Sequence, residues 1–219
     1  VTIFVRFLIY FCQLPTDAIV LAKKSLSSDF PFVDKKNIYV VQNFSNVTAT
    51  VNSDSFPDLS RKSSQHVTLA HFGLLNKARG WLELLEALEL SENNIDLKII
   101  GEIPEKEQQQ FFFTVNEKGL GKKVEYIPWL PFSEAVLELS TADIGVVMFQ
   151  KGFHNHKYAL PHKLFDYMAC GIPVLAPAFS LEVSGIIERS ECGIVLREPD
   201  GPSLADALDF LIENPKIRL

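Results

Sequence analysis

Two kinds of hydrophobic pattern alternate along the chain, and together they predict a layered α/β fold. Short apolar and β-branched runs recur without strict alternation of apolar and polar positions, which is typical of parallel strands covered on both faces. These runs span residues 18–22, 38–42, 67–72, 96–101, 123–128, 143–149, 172–177 and 192–196. Segments of helical period lie between them, at residues 79–90, 133–142, 161–170, 180–190 and 203–214. This succession predicts a doubly wound parallel sheet.

One segment interrupts the alternation and predicts a division of the chain. Residues 45–65 are rich in Ser, Thr, Asn and Asp and have no apolar period, as expected of a hinge or linker. Residues 1–44 are predicted to be the remnant of a first α/β domain. Residues 66–219 are predicted to form a second, nearly complete α/β domain that is truncated at its end.

The first residues, VTIFVRFLIYFCQLP, are strongly apolar. The run from Phe7 to Cys12 is too short to span a bilayer, and Arg6 interrupts the apolar segment before it. No small-residue cleavage pattern follows, which disfavours a signal peptide. We therefore expect the end of a buried helix, in a chain that is a fragment of a longer protein.

Charge and cysteine content narrow the function classes. The net charge of −6 argues against a general nucleic-acid surface, which needs an excess of Lys and Arg. Cys12, Cys170 and Cys192 are widely separated and odd in number, which favours free thiols in a reducing compartment over a disulfide frame or a zinc site. We expect a protein of the cytoplasm, or one peripheral at the inner face of the membrane, without a nucleic-acid partner.

The first candidate site lies in HFGLLNKARGWLELLEAL, where a strand ends at Phe72 and a helix opens near Arg79. In doubly wound sheets, ligands bind where strands end and helices begin. Gly73 allows the backbone to approach an anion, a helix start offers free N–H groups, and Lys77 and Arg79 add positive charge. The segment has no G-x-G-x-x-G and no Walker lysine, so the dinucleotide and P-loop motifs are absent. The alternative is that Arg79 is a solvated surface residue.

The second candidate site lies in LPHKLFDYMACGIPVLAP. Pro161 is predicted at the first helical position, and Gly171 just past the helix end. Lys163 in the first turn is unusual, because cations are unfavourable at a helix N-terminus unless an anion is present. Asp166, one turn in, could accept two hydroxyls of a ribose ring. The alternative is that Lys163 and Asp166 pair on the surface.

The order of these segments resembles the C-terminal half of a nucleotide-sugar-dependent glycosyltransferase of the two-Rossmann-domain (GT-B) type, in the large retaining group 1 family. The resemblance runs from about Thr16 to the end, and it implies that the sheet is Rossmann-like. It rests on TDAIVLAKKSL, KKNIYVVQNFSNV, FGLLNKARGWLELLEAL, LKIIGE, KVEYIPWLP and STADIGVVMF. YALPHKLFDYMACGIPVLAP is the most specific piece, and it resembles the branch of these enzymes acting in surface-polysaccharide assembly.

The resemblance implies a role for each matching position. Arg79 takes the place of the basic residue that neutralises the donor diphosphate, and with Lys163 it forms the predicted catalytic pair. Asp166 takes the place of the second acidic residue of an E-x7-E motif, which holds the donor ribose. The first acidic position of that motif is Tyr158 here, so the carboxylate that contacts the transferred sugar in the family is absent.

Other positions complete the implied donor site. Leu74 stands where an arginine often follows the glycine, so the diphosphate would depend more on Arg79, Lys163 and backbone N–H groups. Trp129 and Leu130 fall where the nucleobase usually lies. The remaining predicted donor-binding residues are Gly73, Tyr158 and Leu160.

The resemblance implies an enzyme that binds a nucleotide-diphosphate sugar and transfers the sugar, with retention, to a glycan or lipid-linked acceptor. Neither a metal nor another cofactor is expected, because fixed positive charges can bind the diphosphate. The acceptor site is expected in the missing N-terminal domain, so this chain alone would be inactive. The alternative is a non-catalytic nucleotide-binding or regulatory α/β module. The chain has no G-x-S-x-G, which disfavours a hydrolase.

The histidines leave two questions open. His154, His156 and His162 cluster, and an H-x-H pair can bind a metal, but no Cys or acidic partner has a suitable spacing. His71 ends a strand beside the glycine turn and either faces the donor or is a core or loop histidine. Glu182 is interpreted as a carboxylate at a helix start.

Overall fold

The structure, a computed structural model, describes residues 3–13, 15–47 and 66–217. Two compact units make up the chain, Val1–Phe44 and Ser45–Leu219. Most of the predicted hinge, residues 48–65, lies outside the described residues. The domain bounds given by the sequence therefore stay a prediction.

The smaller unit contains one helix and one pair of parallel strands among its described residues. Helix α1 is Ile3–Gln13, and strands β1 and β2 are Ile19–Leu21 and Ile38–Val40. Both predicted strands are thus confirmed. Short 3₁₀ turns at Lys24–Asp29 and Lys35–Asn37 lie between them.

The expectation of a buried first helix is wrong in one respect. Helix α1 forms where the apolar run predicts it, but Phe7 is 58% exposed and Phe11 is 53% exposed. The described side chains of α1 are apolar on several sides, and two three-residue strands present too little surface to cover such a helix. None of the helices in the described part of the chain is long and apolar enough to cross a membrane.

In the larger unit, six strands form one parallel sheet in the order β5-β4-β3-β6-β7-β8. The strands are β3 His66–Phe72, β4 Asn94–Ile100, β5 Val124–Ile127, β6 Ile144–Val146, β7 Val174–Pro177 and β8 Gly193–Leu196. The helices between them are α2 Trp81–Leu90, α3 Glu105–Glu117, α4 Phe132–Ser140, α5 His154–Tyr158, α6 His162–Ala169 and α7 Leu181–Ser190, and α8 Gly201–Glu213 follows the last strand. The predicted doubly wound, Rossmann-like α/β fold is confirmed.

Helices cover both faces of this sheet, as a parallel sheet of apolar strands requires. One face packs against buried residues of α2, α3 and α8, among them Trp81, Phe111 and Leu208. The other face packs against α4, α6 and α7, through residues such as Leu139 and Ile187. The sheet therefore has a hydrophobic core on each side, and its strand ends are left for the loops.

The order in which successive strands are added to the sheet reverses between β3 and β6. The chain runs outward from β3 through β4 to β5, and then returns to place β6 on the other side of β3. Only two residue pairs join these neighbours, Leu69 with Ile144 and Ala70 with Gly145. Beyond them the ladder between β3 and β6 stops, and the carboxyl ends of these two strands mark the crevice position at which doubly wound sheets bind ligands.

Tyr167 of α6 fills the point where the two strands separate. Its hydroxyl accepts a hydrogen bond from Phe72 N–H at 2.9 Å and lies 3.2 Å from the carbonyl oxygens of Ala70 and Val146. Gly145 provides the space, because a Cβ there would lie 2.5 Å from the tyrosine ring. The tyrosine hydroxyl thus forms hydrogen bonds with backbone groups that β3 and β6 no longer pair with each other.

Helix α3 is absent from the sequence prediction. Its sequence, EKEQQQFFFTVNE, has three consecutive Gln and three consecutive Phe, so no clear helical period is visible. Only Phe111 and Val115 are buried, which are the two positions one turn apart that face the core.

All five predicted helix starts are displaced by one or two residues, and three of the displacements concern a predicted cap or first residue. Pro161 precedes α6 as its N-cap, with an extended ψ of 148°, instead of occupying the first helical position. Helix α4 begins at Phe132 rather than Ser133, and α8 begins at Gly201 rather than Ser203. In α8 the cap is Asp200, whose carboxylate accepts from the N–H of Ser203.

We predict that Tyr167→Phe destabilises the larger unit by about 1–3 kcal/mol, because Phe72 N–H loses its acceptor inside the core. Both tryptophans, Trp81 and Trp129, lie in this unit, so urea unfolding followed by their fluorescence measures its free energy of unfolding. Tyr126→Phe is the control, because no hydrogen bond of that hydroxyl occurs within the described residues, and we expect a change below about 0.5 kcal/mol. Equal effects of the two substitutions would contradict the role of Tyr167.

Candidate functional site

The loop after β3 brings a positive side chain to the crevice. Gly73 adopts a left-handed φ of +86° at the strand end, and a 3₁₀ turn at Lys77–Arg79 follows. Gly80 has a φ of +78°, and a Cβ there would lie 2.6 Å from the carbonyl oxygen of Met148. Only glycine therefore allows this turn to pack against the segment that follows β6.

Hydrogen bonds fix the backbone on both sides of Arg79. The side chain of Asn76 accepts from Arg79 N–H at 3.0 Å. Glu107 of α3 accepts from Lys77 N–H at 2.8 Å and from the Trp81 indole at 2.9 Å. Among the described residues no carboxylate lies within 4.0 Å of the Arg79 guanidinium, and its partial burial lowers the pKa of Arg79. The guanidinium therefore extends from a turn with a fixed backbone, and no carboxylate of the described residues neutralises it.

Lys163 brings a second positive group to the crevice from the first turn of α6. Its Nζ lies 3.0 Å from Nε2 of His71, near the end of β3. Burial and the positive charge of Arg79 lower the pKa of Lys163 to about 7, while Asp166 opposes this shift. Two cationic side chains thus lie close enough to repel each other, in surroundings where charge is poorly solvated.

Asp166 is buried, with 4% of its surface exposed, and the hydroxyl of Ser45 donates to its Oδ1 at 2.7 Å. Burial raises the pKa of Asp166, while the Ser45 hydrogen bond and the neighbouring His162 and Lys163 oppose that shift. In the described part of the chain no ion pair within 4.0 Å joins Asp166 to Lys163. The alternative of a surface ion pair is therefore wrong.

The structure places His71 in the core, in contact with the site. The residue is 1% exposed, and its Nε2 lies 3.1 Å from the carbonyl oxygen of Leu74 as well as near Lys163. Burial and the charge of Lys163 lower the pKa of His71 well below its ordinary value, so the ring is neutral. Its Nδ1 has no hydrogen-bond partner among the described residues.

The other predicted donor-binding residues belong to the segments that follow β5 and precede α6. Trp129 is 74% exposed after β5, and Leu130 beside it packs against the core. Strand β5 is an edge strand of the sheet, two positions away from β3. Tyr158 ends α5, and Leu160 packs against the core before α6.

The histidine cluster has a structural explanation in part. His156 is buried, its ring stacks on Phe149 at a centroid distance of 4.4 Å, and its Nδ1 donates to the carbonyl oxygen of Gln150 at 3.1 Å. His162 is exposed, and the side chain of His154 lies outside the described part of the structure. Across the described residues, no group of three His, Cys, Asp or Glu side chains could hold a metal ion. Glu182 lies in the first turn of α7, as interpreted from the sequence.

Sequence reasoning missed three residues that shape the site. Tyr167 positions α6, Glu107 anchors the loop that carries Arg79, and Ser45 contacts Asp166. Tyr167 had one usable signal, a polar-tipped aromatic residue on the buried side of an otherwise apolar helix. Glu107 and Ser45 had none, because their partners lie 26 to 30 and 121 residues away in sequence.

Comparison with known proteins decides the family. The profile described as "Glycosyl transferases group 1" matches residues 54–219, which is more than half of the chain. The chain belongs to the group 1 glycosyltransferases. No curated protein sequence matches it.

Solved glycosyltransferases share its fold. HepE of Anabaena, in complex with UDP and glucose, aligns with a TM-score of 0.70 and 15% identity, over 97% of this chain and 58% of its own. Sucrose-phosphate synthase of Thermosynechococcus elongatus gives a TM-score of 0.71 and 18% identity, over 97% and 53%. The C-terminal domain of LpcC, a group 1 protein of Francisella tularensis, gives 0.58 and 22%, over 77% and 85%. This glycosyltransferase chain thus spans less than two thirds of HepE.

We predict that Lys163→Met stabilises the protein at pH 7 and that this advantage shrinks as the pH rises to about 9. With a pKa of about 7, folded wild type loses the lysine proton above pH 7, whereas the unfolded chain keeps it to about 10.5. Wild-type stability therefore rises with pH in this window, by on the order of 1 kcal/mol per unit. Urea unfolding at several pH values measures the difference.

The control for this prediction is Lys77→Met, since Lys77 is exposed in the neighbouring turn. We expect its difference from wild type to stay constant with pH. Curves for Lys163→Met and wild type that run parallel from pH 7 to 9 would contradict the shifted pKa.

Proposed function

We propose that this glycosyltransferase domain binds a nucleotide-diphosphate sugar in the crevice between β3 and β6, as the donor half of a sugar-transferring enzyme. The observation that carries the proposal is the pair of cationic side chains, Arg79 and Lys163, at that crevice. Like charges in a poorly solvated place are unfavourable unless an anion joins them. A diphosphate supplies the matching negative charge.

The proposed mechanism is electrostatic. When the bond between the anomeric carbon and the diphosphate breaks, negative charge develops on the β-phosphate oxygens. Preorganised donors aimed at developing charge are a large catalytic term. Arg79, with its backbone fixed by Asn76, and Lys163, which approaches from α6, are the donors that we assign to that task. No metal is required in this scheme, because the two cations have fixed positions.

The proposed ribose contact is Asp166. Ser45 donates to Oδ1, which supports the ionised form and leaves the second oxygen of the carboxylate for a ligand hydroxyl. Trp129 and Leu130 would then lie under the nucleobase on the flank of the crevice. Tyr158, in place of a carboxylate, would contact the transferred sugar.

Structural neighbours support UDP as the first nucleotide to test. Structures of HepE contain UDP, UDP with glucose and UDP-glucose, and a structure of TarM from S. aureus contains UDP. Retention of configuration, a glycan or lipid-linked acceptor, and an acceptor site in a preceding α/β domain are further parts of the proposal. They rest on the resemblance to the family.

We predict that the chain binds UDP, and that Arg79→Ala and Asp166→Ala each weaken binding by roughly ten- to a hundredfold. Each removes a charged hydrogen-bonding group, which contributes about 1.5–3 kcal/mol. Isothermal titration calorimetry with UDP, GDP and ADP and with their sugars measures the effect. Lys122→Ala and Asp206→Ala are matched controls of exposed charge, and we expect less than a twofold change. If neither site substitution weakens any nucleotide, the site is wrong.

We also predict that the 219-residue chain binds the nucleotide without transferring sugar, because the acceptor site is assigned to another domain. Incubation with a radiolabelled UDP-sugar and extracts of polysaccharide and lipid acceptors tests this. Sugar transfer by the 219-residue chain alone would contradict the assignment of the acceptor site to another domain. Nucleotide binding without transfer by a full-length protein would favour a non-catalytic module.

A further inference from the structure

His71 has two polar neighbours at one ring nitrogen and none at the other. Its Nε2 lies 3.0 Å from Lys163 Nζ and 3.1 Å from the carbonyl oxygen of Leu74. Its Nδ1 is buried without a partner in the described residues. The mechanism proposed above does not use this ring, although it contacts one of the two cations.

The charge of Lys163 determines where the ring proton of His71 lies. An ammonium group only donates, so a charged lysine needs Nε2 as an acceptor, and the proton then sits on Nδ1 without a partner. A neutral lysine allows Nε2–H to donate to the Leu74 carbonyl, which leaves only an acceptor unpaired. Buried N–H donors without partners are rare, so the ring favours the neutral lysine.

Charged groups from two other positions face Lys163. Arg79, in the turn after β3, repels a charged lysine, and burial acts in the same direction. Asp166, three residues further along α6, attracts it. In the free protein, burial and the charge of Arg79 lower the pKa of Lys163 more than Asp166 raises it. An anion beside Arg79 would add negative charge and so raise the pKa of Lys163.

We propose that His71 is a positioning residue that holds Lys163 at the crevice and favours its neutral form, so that the binding of an anion makes the neutral lysine take up a proton. The anion is the diphosphate of the nucleotide, and in that respect the inference rests on the proposed function. In the balanced step, one proton passes from solvent to Lys163 Nζ. The ring of His71 stays neutral and exchanges its Nε2 proton for one on Nδ1, and the ammonium then donates to Nε2 and to the phosphate.

The first test needs no ligand. The rate at which acetic anhydride labels Lys163, followed by peptide mass spectrometry against pH, gives the midpoint of its titration. We expect a midpoint near pH 7 in wild type. In His71→Leu the imidazole no longer holds Lys163 against the buried strand end, and the lysine turns to solvent, so the midpoint rises by about 2 units toward that of a free lysine. His71→Gln, whose side-chain oxygen accepts from an ammonium group without moving a ring proton to an unpaired nitrogen, also raises the midpoint.

His66→Leu is the matched control at the other end of β3, and it leaves the Lys163 midpoint unchanged. An unchanged midpoint in His71→Leu overturns the proposal. Fluorescence-detected urea unfolding verifies that each variant folds. If His71→Leu does not fold, His71→Asn, whose shorter side chain cannot reach Lys163, replaces it, with the same expected rise and the same overturning result.

The second test uses UDP and calorimetry at pH 8 in buffers of different ionisation enthalpy, which measures proton uptake. We expect about one proton per UDP in wild type and none in Lys163→Met. His71→Leu lowers UDP affinity about tenfold in wild type and has no effect in Lys163→Met. An equal loss in both backgrounds would overturn the proposal in favour of a structural role. If wild type binds no nucleotide, the proposed function fails, while the labelling test still decides the role of His71.

Discussion

The hydroxyl of Tyr167, held between β3 and β6, is the contact on which the site geometry depends. It partners backbone groups of both strands at the point where their ladder stops. Because Tyr167 belongs to α6, the same contact fixes where that helix begins relative to the strand ends. Lys163 lies one turn earlier and Asp166 immediately before the tyrosine, so both are positioned by one buried anchor.

The arrangement of charges at the site destabilises the free protein. Arg79 and Lys163 have no neutralising carboxylate within ion-pair distance in the described residues, and Asp166 is buried with a hydroxyl as its partner. A surface ion pair between Lys163 and Asp166 would be the less costly arrangement. Strain and unpaired charge that persist in a fold are typical of functional sites. Here Arg79, Lys163 and Asp166 all lie near the point between β3 and β6 at which the strand order reverses.

The sequence predicts the fold better than it predicts the contacts of the site. The eight strands of the described residues all follow from continuous apolar runs, because burial on both faces is a local property of a strand. Helix α3 escapes prediction since its Gln and Phe runs hide a buried stripe of two residues. Lys163 and Asp166 can be selected as unusual residues of their helix. Their partners, His71 and Ser45, lie 92 and 121 residues away, and only the folded sheet brings them close.

The position of Leu74 explains why the second cation comes from a helix. The resemblance often places an arginine at this position, on the loop after the glycine. In this chain the side chain at that position, Leu74, is apolar. Only the backbone carbonyl oxygen of Leu74 takes part in the site, through its contact with His71. An arginine on a loop stays charged at every physiological pH. A lysine held in a half-buried position on a helix is preorganised but easily deprotonated. With a lysine on a helix in place of an arginine on a loop, the crevice has a rigid donor whose charge depends on the bound ligand. The burial of His71 contributes to this dependence.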